Sequence, residues 1–175
     1  MREGQSISSK SKSSPLDPFS AAIRLLARRS YSVAELRRAL QRKLGKDADL
    51  DPVLARLRQL GYLDDRKFAS QFASSLTRNR TFGRRRVKHE LQAKLVDYRA
   101  IDAALDQAYE DVNEQQLLER ALERKLRSIR PPITTRKISS LCQSLMRLGF
   151  PFDAIMKTVR ARPELKSTAG DVDPA

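Results

Sequence analysis

The sequence is poor in residues that several protein classes need. Among 175 residues there are one cysteine, six glycines and no tryptophan. A single cysteine, Cys142, cannot form an internal disulfide framework or a zinc-finger ligand set. Few glycines and 6% aromatic residues disfavour a β-sandwich or barrel. Because there is no signal-peptide pattern, and no apolar run near the roughly 20 residues that span a bilayer, we expect a cytoplasmic protein without a membrane segment.

The common motifs of catalysis and cofactor binding are also absent. The sequence contains no GxxxxGK phosphate loop, GxGxxG, HExxH or CxxC. The one histidine, His89, is predicted to face solvent from a basic helix, and Cys142 is predicted to be a small buried hydrophobe. We therefore expect a binding protein with no enzymatic activity, metal or cofactor.

Positive charge dominates the composition. The chain has 35 lysine and arginine residues against 21 acidic residues, which gives a net charge of +14 at pH 7. This balance favours an anionic partner, which could be nucleic acid, an acidic protein surface or anionic lipid. Most of the cations are arginines, whose planar guanidinium groups suit bidentate contacts with phosphate or carboxylate.

A pattern of a helix cap and apolar residues recurs every fifty-one residues. In each copy, apolar residues follow a candidate cap residue at four, eight and twelve positions. The copies are Ser32 with Leu36, Leu40 and Leu44; Gly83 with Val87, Leu91 and Leu95; and Thr134 with Ile138, Cys142 and Met146. Glu35 is expected to complete a capping box with Ser32, and Asp51 to cap a later helix.

These copies predict an all-α protein built from three tandem three-helix repeats. One unit of about fifty residues has too little apolar surface to stand alone, so neighbouring units must stack into an elongated, curved array. The composition of both ends predicts disordered tails. The predicted segments are a tail at 1–17, repeats at 18–64, 65–112 and 113–162, and a second tail at 163–175.

The candidate binding residues are cations on this array. The densest group has six cations in eleven residues with no acid between them: Arg78, Arg80, Arg84, Arg85, Arg86 and Lys88. Three of them fall on the first turn of the helix after Gly83, where the helix dipole disfavours cations, and this conflict favours a binding role. A weaker set in the first unit consists of Arg24, Arg28, Arg29, Arg37 and Arg38, and Arg136 with Lys137 form a third.

Two stretches of the sequence resemble the RecX family. Residues 61–65 read GYLDD and precede Phe68-Ala69 and Arg78, as at the junction of the first two repeats of that family. Residues 83–91 read GRRRVKHEL and are similar to the start of its second repeat. Further similar residues are Tyr31-Ser32 with Glu35-Leu36, and Leu148-Gly149-Phe150 with Ile155. One departure is Lys94-Leu95-Val96, where the family usually has a glycine in the left-handed cap position.

This resemblance implies a regulator of the RecA recombinase. RecX proteins are cytoplasmic, have three three-helix repeats, and bind in the groove of the filament that RecA forms on single-stranded DNA. They inhibit ATP hydrolysis, strand exchange and co-protease activity, and so act in homologous recombination, DNA repair and the SOS response. The residues alone leave open a stand-alone nucleic-acid-binding protein, or a scaffold whose charge serves solubility. A monomer is expected.

Overall fold

The computed structural model describes residues 17–166, and within that range the chain forms helices and no strands. The all-α class is thus confirmed. The helices are α1 (Pro18–Leu26), α2 (Val33–Leu44), α3 (Asp51–Gln59), α4 (Asp65–Arg80), α5 (Arg84–Ala93), α6 (Tyr98–Tyr109), α7 (Glu114–Leu126), α8 (Thr135–Arg147), α9 (Phe152–Ala161) and α10 (Pro163–Lys166). None of these helices is long and apolar enough to cross a membrane.

The two predicted tails lie mostly outside the described residues, at 1–16 and 167–175. At their inner edges the prediction of disorder is wrong. The Asp17 carboxylate caps α1 by accepting a hydrogen bond from the Ser20 N–H at 2.9 Å. Residues Pro163–Lys166 form α10, and Leu165 is fully buried in the core. Burial of this leucine explains why the chain stays ordered past residue 162, because an apolar side chain gains free energy when it leaves water.

The fifty-one-residue period appears at the second helix of each unit. The N-cap residues of α2, α5 and α8 are Ser32, Gly83 and Thr134, as the sequence predicts. Ser32 Oγ accepts a hydrogen bond from the Glu35 N–H at 3.1 Å, and Thr134 Oγ1 accepts one from the Lys137 N–H at 3.4 Å. We refer to α1–α3, α4–α6 and α7–α9 as the first, second and third units.

The apolar stripe of the repeat is predicted correctly at its first two positions in every unit, and at the third position in the first unit, where Leu44 packs against the core. The residues four and eight positions after each cap are fully or almost fully buried, but Met146 at the twelfth position is 42% exposed and Leu145 is buried in its place. The cause is the helix period of 3.6 residues, because a spacing of four drifts steadily around the helix axis. At the same position in the second unit, Leu95 lies beyond the end of α5.

Leu95 takes the left-handed backbone conformation, with φ of 60°. The turn after α5 therefore keeps the left-handed residue even though the glycine typical of this position is missing. Leu95 is also partly buried, so Leu95→Gly and Leu95→Ala both lose apolar burial. We expect Leu95→Gly to be more stable than Leu95→Ala by about 0.5–1 kcal/mol, because only glycine relieves the roughly 1–2 kcal/mol cost of the left-handed conformation, and part of that gain is lost to glycine's larger entropy in the unfolded chain.

Urea unfolding followed by circular dichroism measures this change. Leu60 is the matched control position, because it also follows a helix but has φ of −79°. There the order should be reversed, with Leu60→Gly less stable than Leu60→Ala. A Leu95→Gly protein that is no more stable than Leu95→Ala would contradict the strain assigned to Leu95.

The buried hydrophobic residues form two separate clusters. Eleven of them, from Ala21 to Leu63, belong to the first unit alone. The other twenty-four, from Phe68 to Leu165, form one core that the second and third units share. The first unit therefore has a small core of its own, while the other two units stabilise each other.

Polar groups join the first unit to the second. Ser32 is fully buried, and its Oγ donates a hydrogen bond to the Lys94 carbonyl at 2.5 Å. The Val33 N–H donates to Asp65 Oδ1 at 2.9 Å. Glu35 does not complete the predicted capping box; its carboxylate accepts from Lys94 Nζ and from Arg29, each at 3.0 Å. The prediction of Ser32 as the cap is confirmed, but Glu35 forms ion pairs with Arg29 and Lys94 instead of completing the capping box.

Glu35 makes this junction sensitive to acid. Burial raises the pKa of its carboxyl, but the hydrogen bonds and charges of Arg29 and Lys94 outweigh burial and hold that pKa below its usual value. A lowered folded-state pKa stabilises the fold above about pH 4.5, and this stability is lost as the pH falls through the folded-state value. We expect the melting temperature of Glu35→Gln to fall less than that of the parent between about pH 5 and pH 3. Equal pH dependence of the two proteins would contradict this role of Glu35.

The second and third units meet where two glycine backbones touch. The Gly83 N–H donates to the Leu148 carbonyl at 2.8 Å. A Cβ added at Gly83 would lie 2.7 Å from the Gly149 carbonyl oxygen, and a Cβ at Gly149 would lie 2.6 Å from Arg86 Cβ. No larger residue fits at this contact, which holds the start of α5 against the end of α8.

Candidate functional site

The six cations of the densest predicted group lie on two consecutive helices. Arg78 and Arg80 are in the last turn of α4, Arg84, Arg85 and Arg86 form the first turn of α5, and Lys88 follows one turn later. We call these six residues the central basic cluster.

The turn before α5 is fixed by Tyr109, whose hydroxyl donates to the Phe82 carbonyl at 2.7 Å. Burial raises the pKa of Tyr109 to about 12, so this hydroxyl keeps its proton at neutral pH.

Half of the central basic cluster is paired with carboxylates. Arg84 forms an ion pair with Asp106, and Lys88 Nζ lies 3.2 Å from Asp102, both on α6. Arg86 forms the pair with Glu90 that its helical spacing predicts, at 2.5 Å. These acids offset the unfavourable position of the arginines at the helix start. The sequence stretch has no acid, but the fold supplies two from the next helix.

The other half of the cluster is open to solvent. Arg78, Arg80 and Arg85 are exposed, and within residues 17–166 none of them forms an ion pair. Arg124 of α7 joins them, because its guanidinium donates to the Arg80 carbonyl at 3.2 Å and to Thr81 Oγ1. We call Arg78, Arg80, Arg85 and Arg124 the open arginine set. Arg124 was missed in the sequence because it lies in another unit, forty-four residues from Arg80.

The first-unit set divides in the same way. Arg24, Arg28 and Arg38 are exposed and form no ion pair within the described part of the chain. Arg29 pairs with Glu35 and stacks 3.6 Å above the Tyr31 ring, so it serves the junction between the first two units.

Arg37 is paired as well, with Asp51. Asp51 is not the helix cap that the sequence predicts: it is the first residue of α3, and the N-cap is Leu50. An aspartate at a helix start interacts well with the helix dipole without capping, which explains why the sequence pattern misleads by one position.

The residues with possible chemical reactivity lie apart from one another. Cys142 is buried with its Sγ 4.0 Å from Met156 Sδ, and burial raises the pKa of its thiol. A raised pKa keeps the thiol protonated and unreactive. His89 is exposed on α5, as predicted. In the range 17–166, no three histidine, cysteine or acidic residues are grouped so as to hold a metal ion.

Comparison with known proteins accounts for most of the chain. Family models described as the first and second three-helix domains of RecX match residues 19–57 and 64–105. A regulatory protein RecX from Chlorobaculum tepidum is 34% identical over 149 residues, or 85% of this chain and 88% of the relative. The chain belongs to the RecX family. Another regulatory protein RecX, from Trichlorobacter lovleyi, is 30% identical over 142 residues, or 81% of this chain and 92% of the relative.

Solved RecX structures share the fold. The crystal structure of RecX from Lactobacillus salivarius matches with a TM-score of 0.67 and 19% identity, covering 86% of this chain and 95% of that one. The resemblance found in the sequence is thus confirmed at the level of the family and its three-helix repeats. The first-unit set lies in the part that matches the first RecX domain, and the central basic cluster lies in the part that matches the second. RecX is a family of regulatory proteins.

Proposed function

We propose that this RecX protein binds the filament of RecA on single-stranded DNA and inhibits RecA. The inhibited activities are ATP hydrolysis, strand exchange and co-protease cleavage, and the protein thereby modulates recombination, DNA repair and the SOS response. The observation that carries this proposal is family membership over most of the chain. The protein acts in the cytoplasm as a monomer, without a catalytic group, metal or cofactor. We propose repeats at 18–64, 65–112 and 113–162, the boundaries that the sequence predicts.

The unpaired cations support contact with a polyanion. A cation already paired with a carboxylate must lose that partner before it binds phosphate, whereas an exposed, unpaired arginine loses only water and small counterions. The open arginine set and the exposed Arg24, Arg28 and Arg38 are therefore the best candidates to contact the DNA or acidic RecA surfaces of a filament. Arg84, Arg86 and Lys88 are candidates of lower rank, because each already has an acidic partner.

The decisive assay is ATP hydrolysis by RecA on single-stranded DNA. The protein is titrated from far below the RecA concentration, with DNA in excess so that competition for DNA is removed. Inhibition at a small fraction of the RecA concentration is expected. Inhibition that appears only when the protein rivals the DNA in amount, or no inhibition, contradicts the proposal.

The triple variant Arg78→Glu, Arg80→Glu and Arg85→Glu is expected to lose most of this inhibition. Its helicity and melting temperature should stay close to those of the parent, because these side chains are exposed and make no ion pair in the described region. Reversal of three phosphate-contacting charges should also lower the salt dependence of binding, by about 0.7 in the log–log slope for each contact to a single strand.

The matched control reverses three exposed cations elsewhere: Arg58, Lys157 and Arg160. The two triple variants have the same net charge. If they inhibit RecA unequally, the positions of the cations matter and a binding site is identified. If both lose inhibition equally, total charge is the cause. Reversal of Arg84 and Arg86 is a poorer test, because Arg84→Glu would place a second carboxylate beside Asp106 and destabilise the fold.

A stand-alone nucleic-acid-binding protein is the second candidate, favoured by the same unpaired cations. Its affinity for free single-stranded DNA should fall by roughly an order of magnitude or more between about 50 and 200 mM salt. Binding to the filament, in contrast, requires RecA and nucleotide and persists when competitor DNA occupies any free DNA-binding surface.

A further inference from the structure

The longest stretch of the sequence without an acidic residue lies in the third unit. It runs from residue 124 to residue 152, between Glu123 and Asp153. It carries seven cations: Arg124, Lys125, Arg127, Arg130, Arg136, Lys137 and Arg147. The segment comprises the end of α7, the loop that follows and all of α8. Its cations therefore have no acidic partner within the segment.

A cavity of about 360 Å³ opens between the end of α7 and one side of α8. Its polar lining consists of three cations and three hydroxyl groups: Lys125, Arg130, Lys137, Ser128, Ser140 and Ser144. Ile129 and Leu141 complete the wall. No carboxylate lines the cavity within the part of the chain described. In the pocket beside the central basic cluster, by comparison, Asp102 and Glu114 lie among the cations.

Lys137 is held in place by neutral groups. Its Nζ donates to the Arg130 carbonyl at 2.6 Å and to the Pro132 carbonyl at 2.9 Å. An ammonium group has three N–H donors, so one is left for a ligand, and its charge is not neutralised by these carbonyls. The two hydrogen bonds restrict a flexible side chain, which reduces the entropy lost when a ligand binds.

Two of the three serines can supply further donors, whereas the Ser128 hydroxyl already donates to the Lys125 carbonyl at 2.7 Å. Ser144 Oγ accepts a hydrogen bond from Arg147 at 3.1 Å, which leaves its own O–H free to donate. Ser140 makes no hydrogen bond through its side chain in the region 17–166. Arg130 is exposed at the mouth of the cavity, where its guanidinium can bind two oxygens of one anion. Cations and hydroxyls with no opposing acid are the donor set that suits phosphate.

We propose that this cavity binds a phosphate group, with Arg130 and Lys137 as the charged contacts and Ser140 as a hydroxyl donor. The phosphate is either a phosphodiester of a nucleic acid strand or the terminal group of a free nucleotide or inorganic phosphate. The site is independent of the central basic cluster and does not require RecA. Failure of this proposal therefore leaves the proposed inhibition of RecA intact, and the reverse also holds.

The test uses the full chain and two probes without RecA. The first probe is a fluorescein-labelled oligo(dT), followed by anisotropy at several salt concentrations. The second is inorganic phosphate, followed by the NMR shifts of the Ser140 and Lys137 amides. Wild type should bind both. Arg130→Ala with Ser140→Ala leaves Lys137 and its carbonyl contacts in place, and a second variant, Lys137→Met, keeps the apolar stem of the side chain.

We expect each variant to lose about three- to tenfold in affinity for at least one probe. Lys157→Ala, which removes an exposed cation on α9, should be unchanged for phosphate. Loss of oligo(dT) binding with a shallower salt slope identifies a phosphodiester as the ligand. Loss of the phosphate-induced shifts with unchanged oligo(dT) binding identifies free phosphate. Variants that match Lys157→Ala for both probes overturn the proposal.

Discussion

Replacing Gly149 with alanine is expected to destabilise the protein by about 2–5 kcal/mol. Gly149 has φ of +95°, a conformation that costs other residues about 1–2 kcal/mol. The added Cβ would also lie 2.6 Å from Arg86 Cβ and 2.9 Å from the Gly83 carbonyl oxygen. Relief of this overlap needs a shift of the backbone where α5 meets α8, and this shift costs about 1–3 kcal/mol more in stability. Urea unfolding followed by circular dichroism at 222 nm measures the loss.

Gly61→Ala separates the two causes. Gly61 also has a positive φ, of +76°, but apart from its own atoms and those of its two chain neighbours, no atom lies within 4 Å of the position that its Cβ would occupy. This variant should lose only the conformational part, about 1–2 kcal/mol. Equal losses for the two alanine variants would show that the second and third units do not meet as closely as the structure has them.

Leu91→Ala is expected to cost about 2–5 kcal/mol. Leu91 has no exposed surface and belongs to the core that the second and third units share. Truncating a fully buried leucine removes apolar burial and leaves a cavity that the surroundings fill only partly.

The control for Leu91→Ala is Leu60→Ala, because Leu60 is 54% exposed. That change should cost less than about 0.5 kcal/mol. Thermal or urea unfolding of both variants gives the comparison. A loss at Leu91 as small as that at Leu60 would mean that α5 turns a different face to the core.

The repeat could be predicted from the sequence because its signals are local. A cap residue and the apolar residues four and eight positions later lie within three turns of one helix, and the structure has all of them in place. The failure of the pattern at the twelfth position of the third unit is also local, since a spacing of four drifts from the helix period until Leu145 replaces Met146.

The electrostatic state of the candidate site could not be predicted in this way. Arg84 and Lys88 meet Asp106 and Asp102 only because α6 packs against α5, and Glu35 meets Lys94 across fifty-nine residues of sequence. A count of charges in a window gives the six cations but not their partners. The spacing of Asp102 and Asp106 puts both on one face of α6, a sign that this face could meet a basic helix.

The division of the apolar core implies that the chain does not lose its structure all at once. Local opening of α1–α3 exposes eleven buried hydrophobic residues and breaks the Ser32, Val33 and Glu35 contacts, while the larger core of twenty-four stays packed. Native-state hydrogen exchange should therefore release the amides of the first unit through a subglobal opening of lower free energy. We therefore expect the first unit to behave as a separate foldon, which opens while the core shared by the second and third units stays packed.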